Sequence, residues 1–165
     1  MKIISTYPAK IKESSGAFEA TAVLYRQAVD YFIGIMLKHW DKQFASLPNI
    51  NVVTRQTELL CWPTSKRPLT QYDFGKSFYK FPSYLRRAAI SEAYGKVSSY
   101  LTRLKQWKAN PQGKEPGLPK AGRTFPAMYR EVMFKNTTDR YTVRIKVFIR
   151  NTWDWTEVKL RKSDM

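Results

Sequence analysis

The spacing of apolar and polar positions changes period twice along this chain. At the start, Ala9 and Ile11 alternate with Lys10 and Lys12, so residues 1–12 read as a strand, with Pro8 at an edge or a break. From Phe18 the period lengthens. Phe18, Ala22, Tyr25, Val29, Phe32, Met36 and Trp40 recur at spacings of three and four, and Leu24, Ala28, Tyr31 and Ile35 widen the stripe. This predicts a helix over about 17–44, buried on more than one side. Arg26, Gln27, Asp30, Lys38 and Asp41 lie opposite the stripe, and Ser14, Ser15 and Gly16 offer N-cap chemistry, with Glu19 near the positive helix end. His39 falls inside the apolar arc with no partner constellation in sight, as a satisfied core or boundary histidine does.

Residues 45–81 are less regular. Pro48, Pro63 and Pro68 punctuate them, a short helix is expected near 53–60, and Ser65–Thr70 reads as an exposed basic loop. Helical periodicity returns over about 83–108, where Ile90, Ala93, Val97, Leu101 and Leu104 form one stripe, flanked by Tyr100 and Trp107. A second face of that helix is small: Ala88, Ser91, Gly95, Ser98, Ser99 and Thr102, bordered by Arg87 and Lys105. Small side chains let another backbone approach closely, either a helix or a phosphodiester chain. Asn110–Arg123 is a turn-rich linker. After it the period becomes two: Tyr141, Val143, Ile145, Val147 and Ile149 alternate with Thr142, Arg144, Lys146, Phe148 and Arg150. Asn136–Asp139 is the expected hairpin loop back to a strand over 129–135, and a turn at Asn151–Thr152 leads to a strand over 153–161. The result is an antiparallel meander with one apolar and one basic face.

The fold class implied is α+β. A first strand, a helical block and then further strands suggest a small antiparallel OB-like β-barrel interrupted by inserted helices, an architecture that handles nucleic acid. The charge pattern agrees. The chain carries 29 Lys+Arg against 13 Asp+Glu, and residues 66–130 hold fourteen basic side chains but only Asp73, Glu92 and Glu115 as acids. Tyr72, Phe74, Phe78, Tyr79, Phe81, Tyr84, Tyr94, Tyr100 and Trp107 run through that block. Cations neutralise phosphates and release counterions, while rings stack on bases.

Other classes are disfavoured. Cys61 is the one cysteine, which leaves no intramolecular disulfide and no multi-cysteine zinc site, as in a reducing compartment. The opening residues lack the apolar run of a signal peptide, and no stretch suits a membrane span. The expected location is cytoplasmic. With one His, one Cys and scattered carboxylates, no catalytic set or metal site is apparent, so the chain is not expected to be an enzyme on its own or to hold a cofactor.

Lys80-Phe81-Pro82-Ser83-Tyr84-Leu85-Arg86-Arg87-Ala88-Ala89-Ile90-Ser91-Glu92-Ala93-Tyr94, with the basic helix after it and the Gly117-Leu118-Pro119-Lys120 linker, resembles the N-terminal half of TnpB. TnpB proteins are transposon-encoded RNA-guided nucleases related to type V CRISPR effectors. The resemblance spans essentially the whole chain. It implies a wedge β-barrel from residues 1–14 and 118–165, and a helical recognition domain inserted over 15–117. In that family a RuvC nuclease domain with three acidic metal ligands follows. This sequence ends at Ser163-Asp164-Met165, about where RuvC is expected to begin, and shows no such trio. The expectation is thus a nuclease-less piece, whether a fragment, one half of a split protein or a standalone binding module, with Mg²⁺ chemistry belonging to a RuvC partner chain.

The resemblance implies guide RNA and double-stranded target DNA as partners, with base pairing reading the target and the protein reading a short flanking motif. Lys80, Phe81 and Tyr84 match the segment that helps read that motif, with Thr70 and Tyr72 as further candidates. Lys10, Lys12, Lys76, Arg86, Arg87, Lys105, Arg123, Arg130, Arg144, Lys146 and Arg150 are the expected backbone-holding cations. The alternative is a guide-independent transposon or phage DNA-binding regulator, whose helical block reads DNA directly. A basic RNA-binding protein of ribosomal type is a third, weaker reading.

Overall fold

A computed structural model describes residues 10–12 and 16–161. Its helices are α1 (Gly16–His39), α2 (Ile50–Cys61), α3 (Phe74–Ser77) and α4 (Ser83–Ala109), and its strands are β1 (Phe134–Asn136), β2 (Thr142–Ile149) and β3 (Thr152–Lys159). They fall into two compact units, residues 22–127 and the described part of 1–21 with 128–165. The boundaries expected from the sequence stood at 14/15 and 117/118. Most of the strand expected over 1–12, and the N-cap expected at Ser14–Ser15, lie outside the described residues.

In the helical unit, α1 buries Ala22, Tyr25, Ala28, Val29, Phe32, Ile33, Ile35 and Met36. The helix does not run regularly to residue 44. From Trp40 to Phe44 it widens into a π turn, closed by Ala45 N donating to Trp40 O at 3.0 Å. The wider turn keeps the fully buried Phe44 near the stripe of Val29, Phe32 and Met36, from which a continued α-helix would rotate it. His39 is half-buried and satisfied, with Nε2 2.8 Å from the Tyr72 hydroxyl and Nδ1 3.5 Å from Gln43 Nε2.

Helix α2 is longer than expected because Asn49 caps it, its Oδ1 accepting from Asn51 N and Val52 N at 3.1 Å each. Val53, Thr57 and Cys61, four residues apart, form its buried edge. The one-turn α3 is capped by Asp73 Oδ1, which accepts from Lys76 N at 2.9 Å. Phe74 within it is fully buried and stacks on Phe32 at 5.0 Å and Phe78 at 4.6 Å between centroids. Helix α4 buries Leu85, Ala89, Ile90, Ala93, Val97 and Tyr100, close to the expected stripe.

One cation is also buried on α4. Arg86 donates to Glu58 Oε1 from Nε at 3.2 Å and from Nη2 at 2.8 Å, and its guanidinium lies 3.9 Å from the Trp62 ring centroid. Its side chain is 7% exposed. It therefore ties α4 to α2 and is not displayed for a phosphate, contrary to the sequence expectation. Arg67 is likewise turned inward, donating to the carbonyls of Glu58 at 3.3 Å and Trp62 at 2.9 Å.

The segment read as a linker is a strap pinned to α1. Asp30 Oδ1 accepts from Ala121 N at 2.7 Å, and Arg26 Nε donates to Thr124 O at 3.0 Å while its guanidinium sits 5.1 Å from the Phe125 ring. Two residues expected to face solvent thus anchor the chain.

The second unit holds an antiparallel sheet in the order β1-β2-β3. The fold is mixed, helices plus an open three-stranded sheet; no closed barrel forms among the described residues. Arg150 and Asn151, at φ 49° and 59°, make the tight two-residue turn between β2 and β3, so Arg150 sits on the turn rather than on the strand face. β1 is shorter than expected: Glu131 at φ 64° and the Met133 N to Tyr129 O bond of 2.8 Å fold residues 129–133 into a turn. Asp139 closes the β1–β2 loop, accepting from Tyr141 N at 3.0 Å and Thr142 Oγ1 at 2.7 Å. Ile11 bridges to Leu160 beyond β3, flanked by Lys12 N donating to Lys159 O at 2.8 Å and Arg161 N to Lys10 O at 2.9 Å.

Arg86→Gln breaks the pair with Glu58 and is expected to lower unfolding free energy by about 3 kcal/mol in urea titration, the low end for a buried ion pair because Glu58 keeps some solvent. Arg87→Gln, at a side chain 56% exposed and a loose 3.9 Å from the same carboxylate, should change it by less than about 1 kcal/mol. Equal effects of the two would refute the assignment. A second prediction concerns pH. Burial pushes the Cys61 thiol up from 9.0 to about 12, and likewise the Tyr31 hydroxyl from 10.0 to about 12. Both folded values are raised, so their contribution is whole below pH 9 and is lost as pH climbs from 9 toward 12. The urea midpoint should fall over that window, and at pH 8 Cys61 should react with iodoacetamide only after unfolding. Alkylation of the native protein would contradict its burial.

Candidate nucleic-acid interface

Strand alternation gives the sheet two chemically distinct faces. Val143, Val147 and Val158 are buried on one, with Ile145, Thr156 and Phe134 beside them in the pairing. The opposite face is read across the strands from the same register. Thr142 pairs with Lys159, Arg144 with Glu157 and Lys135, Lys146 with Trp155, and Phe148 with Trp153. The Ile11–Leu160 bridge sets Lys12 beside Lys159 and extends this face. It grades from a cationic end at Lys12 and Lys159 to an aromatic end, where Phe148 and Trp153 meet edge-on at 5.6 Å.

Between the two ends stands Trp155. Lys135 Nζ lies 4.7 Å and Lys146 Nζ 5.9 Å from its ring centroid. An ammonium held over an indole is favoured by the ring quadrupole and keeps charge close to an aromatic surface. Arg144, with a side chain 48% exposed, lies 4.0 Å from the 68% exposed Glu157, a loose pair in solvent. Like charges set side by side, as at Lys12 and Lys159, disfavour the empty face and favour an anion upon it. The pattern of cations next to an accessible ring is the composition of single-strand binding surfaces.

Of the residues singled out in the sequence, Lys12, Arg144 and Lys146 come together on this face. Lys10 lies on the same edge segment, beside Arg161. Arg130 is exposed and pairs with its neighbour Glu131 at 3.3 Å. Lys76, Lys105 and Arg123 are exposed in the helical unit. The sequence reading missed Lys135, Trp155 and Lys159. The available signal was the alternation of Trp153, Trp155, Glu157 and Lys159 along β3, which shares a face with Arg144 and Lys146 once the two-residue turn sets the register.

The motif segment divides. Phe81 is 3% exposed and meets Phe74 edge-on at 5.5 Å, so it anchors the start of α4 in the core and cannot wedge between bases there. Tyr72 is turned toward His39, and Thr70 Oγ1 donates to the Tyr72 carbonyl, so both are engaged by their own chain. What remains outside is Tyr79, 71% exposed, Lys80 with Nζ 5.2 Å from the Tyr79 ring, and Tyr84, 38% exposed. Lys80 holds φ 54°, a left-handed bend that lets the chain turn from α3 into α4.

Among the described residues no group of three or more His, Cys, Asp or Glu side chains gathers to hold a metal ion, and no helix is long and apolar enough to cross a membrane. No curated protein and no solved structure matches the chain. A family model matches residues 5–149, well over half of the sequence, and by that match the chain belongs to the Aq_aa04 family.

Proposed function

We propose that this chain is the nucleic-acid-binding module of an RNA-guided, TnpB-like DNA-targeting system. The observation that carries the reading is Trp155 with the ammonium groups of Lys135 and Lys146 at its ring, on a sheet face that continues into Arg144, Lys159 and Lys12. In this reading the lysines transfer to phosphates when a strand arrives, and the indole takes a base or sugar. That face holds the guide RNA scaffold or the heteroduplex backbone. The sheet is the described part of an OB-like barrel, which the Ile11–Leu160 pairing at the β3 edge supports. The exposed Tyr79, Lys80 and Tyr84 read the short motif in the flanking duplex, through ring contacts to base edges and a lysine donor. The module binds and leaves cutting to a partner chain with a RuvC domain, which supplies the Mg²⁺ site. In this reading the system is cytoplasmic and is prokaryotic or mobile-element-encoded.

The purified chain should carry RNA. Trp155→Leu should weaken RNA binding roughly ten- to a hundredfold, the range of one lost stacking partner, with its melting temperature within a few degrees of wild type. Wild-type binding by the folded variant removes the sheet face from the interface. Duplex binding should require complementarity to the copurified RNA. Sequence-specific binding that survives RNase treatment would instead establish the guide-independent regulator.

A further inference from the structure

We infer a second binding surface, in the helical unit: a groove that takes the phosphodiester backbone of a single-stranded nucleic acid. The inference rests on the nucleic-acid reading above but on none of the residues that carry it. The groove lies between α4 and the strap and encloses about 490 Å³. Gly95 and Ser99 line it from α4, Leu118 from the strap, and Lys96, Arg103 and Lys120 bring three cations to it.

Three observations point to an anionic strand. The first is electrostatic. Among these lining residues there is no carboxylate; Glu92 approaches from one turn earlier, bonded to the Tyr25 hydroxyl at 3.0 Å and 3.6 Å from Lys96 Nζ. Arg103 is held along the helix, its Nε donating to Ser99 O at 3.4 Å, and Lys120 is exposed on the strap. The second is space. The small face of α4 expected from the sequence is not used for helix packing along its length, since Ser91, Gly95, Ser99 and Thr102 are exposed. A mid-helix glycine costs about 1 kcal/mol relative to alanine. A Cβ at Gly95 would meet nothing within 4 Å, so packing gives no reason for the residue. Gly34 on α1 is equally open; Gly95 differs by lining a cationic groove. The third is rigidity. The Asp30–Ala121 and Arg26–Thr124 bonds fasten the strap just beyond Lys120, with Gly122 at φ +67° turning the chain between them. A wall fixed before binding avoids the ordering cost of a floppy loop.

A single strand is the proposed occupant, because a groove lined by Lys96, Arg103 and Lys120 with small side chains between them can track one flexible backbone. Leu118, 67% exposed at the rim, offers apolar surface to a sugar or a base edge. The border cations differ from those expected in the sequence. Lys96 and Arg103 line the groove, whereas Arg87 and Lys105 do not.

The test uses the full chain and a labelled single-stranded oligonucleotide in a salt titration. Gly95→Leu fills the groove from a site with room for it and replaces a poor helix former, so melting temperature should hold or rise while affinity falls roughly tenfold. Arg103→Gln with Lys120→Gln removes two charges from the surface and should reduce the log–log salt slope by about 1.4, at roughly 0.7 per phosphate on a single strand. If both folded variants bind with wild-type affinity and slope, the groove inference is overturned and the sheet-face reading stands. If wild type itself fails to bind nucleic acid, the proposed function falls and this inference with it. Trp155→Leu separates the two surfaces, because its residual binding should still respond to Arg103→Gln and Lys120→Gln. A residual that does not respond counts against the groove.

Discussion

The helical unit depends on the ring cluster around Phe74. The segment between α2 and α4 contains one helical turn and no sheet, so its backbone has little regular hydrogen bonding to hold it. Burial of Phe74 against Phe32 and Phe78 in stacked geometry, with Tyr31 and Phe81 edge-on at 5.6 and 5.5 Å, supplies the missing order. Aromatic pairs add about 0.5–1.5 kcal/mol each beyond their buried area. The cluster joins α1, α3 and the start of α4. Because Phe78 and Phe81 turn inward, Tyr79 and Lys80 between them must turn outward.

The same logic sorts the cations. A guanidinium can be buried when a carboxylate and a ring receive it, and Arg86 finds both in Glu58 and Trp62. Arg26 and Arg67 are engaged by main-chain carbonyls. These arginines are structural, and the local charge excess overstates what solvent and ligands meet. Among the exposed cations, two groups share a surface feature, one on the basic face of the sheet and one beside the groove along α4. Lysine predominates in both, as expected for a compact charge on a flexible stem that can follow a moving phosphate.

The two surfaces differ in what they offer. The sheet face combines cations with Trp155, Trp153 and Phe148, so it can contact bases as well as backbone. The groove has cations, a hydroxyl, small side chains and the apolar Leu118 and Pro119 but no aromatic ring among its lining residues, which suits backbone more than base stacking. Backbone contacts position a strand, and base contacts add discrimination.

Much of the secondary structure was legible in the residues. The three-and-four spacing along α1 and α4 and the alternation from Tyr141 identify their elements, because burying one face of a helix or strand imposes its period on the sequence. The mixed class and the antiparallel hairpins were legible for the same reason. Local capping was visible only in part: Asn49 lengthens α2 by a turn through Ile50, Asn51 and Val52, and no helical period was read there. What the sequence could not decide was the destination of each polar side chain. Arg86 and Arg87 are adjacent and chemically alike, and both reach Glu58, but Arg86 is buried between two helices at 2.8 Å whereas Arg87 stays 56% exposed at 3.9 Å. Asp30 and Arg26 look like a solvated helix face until the strap from ninety residues away arrives upon it. Trp155 joins Lys135 and Lys146 only through the strand register, and Arg150 leaves that face only because it occupies the turn. Periodicity is a property of one segment and can be read there. A site is a meeting of several segments, and only their packing determines which side chains meet.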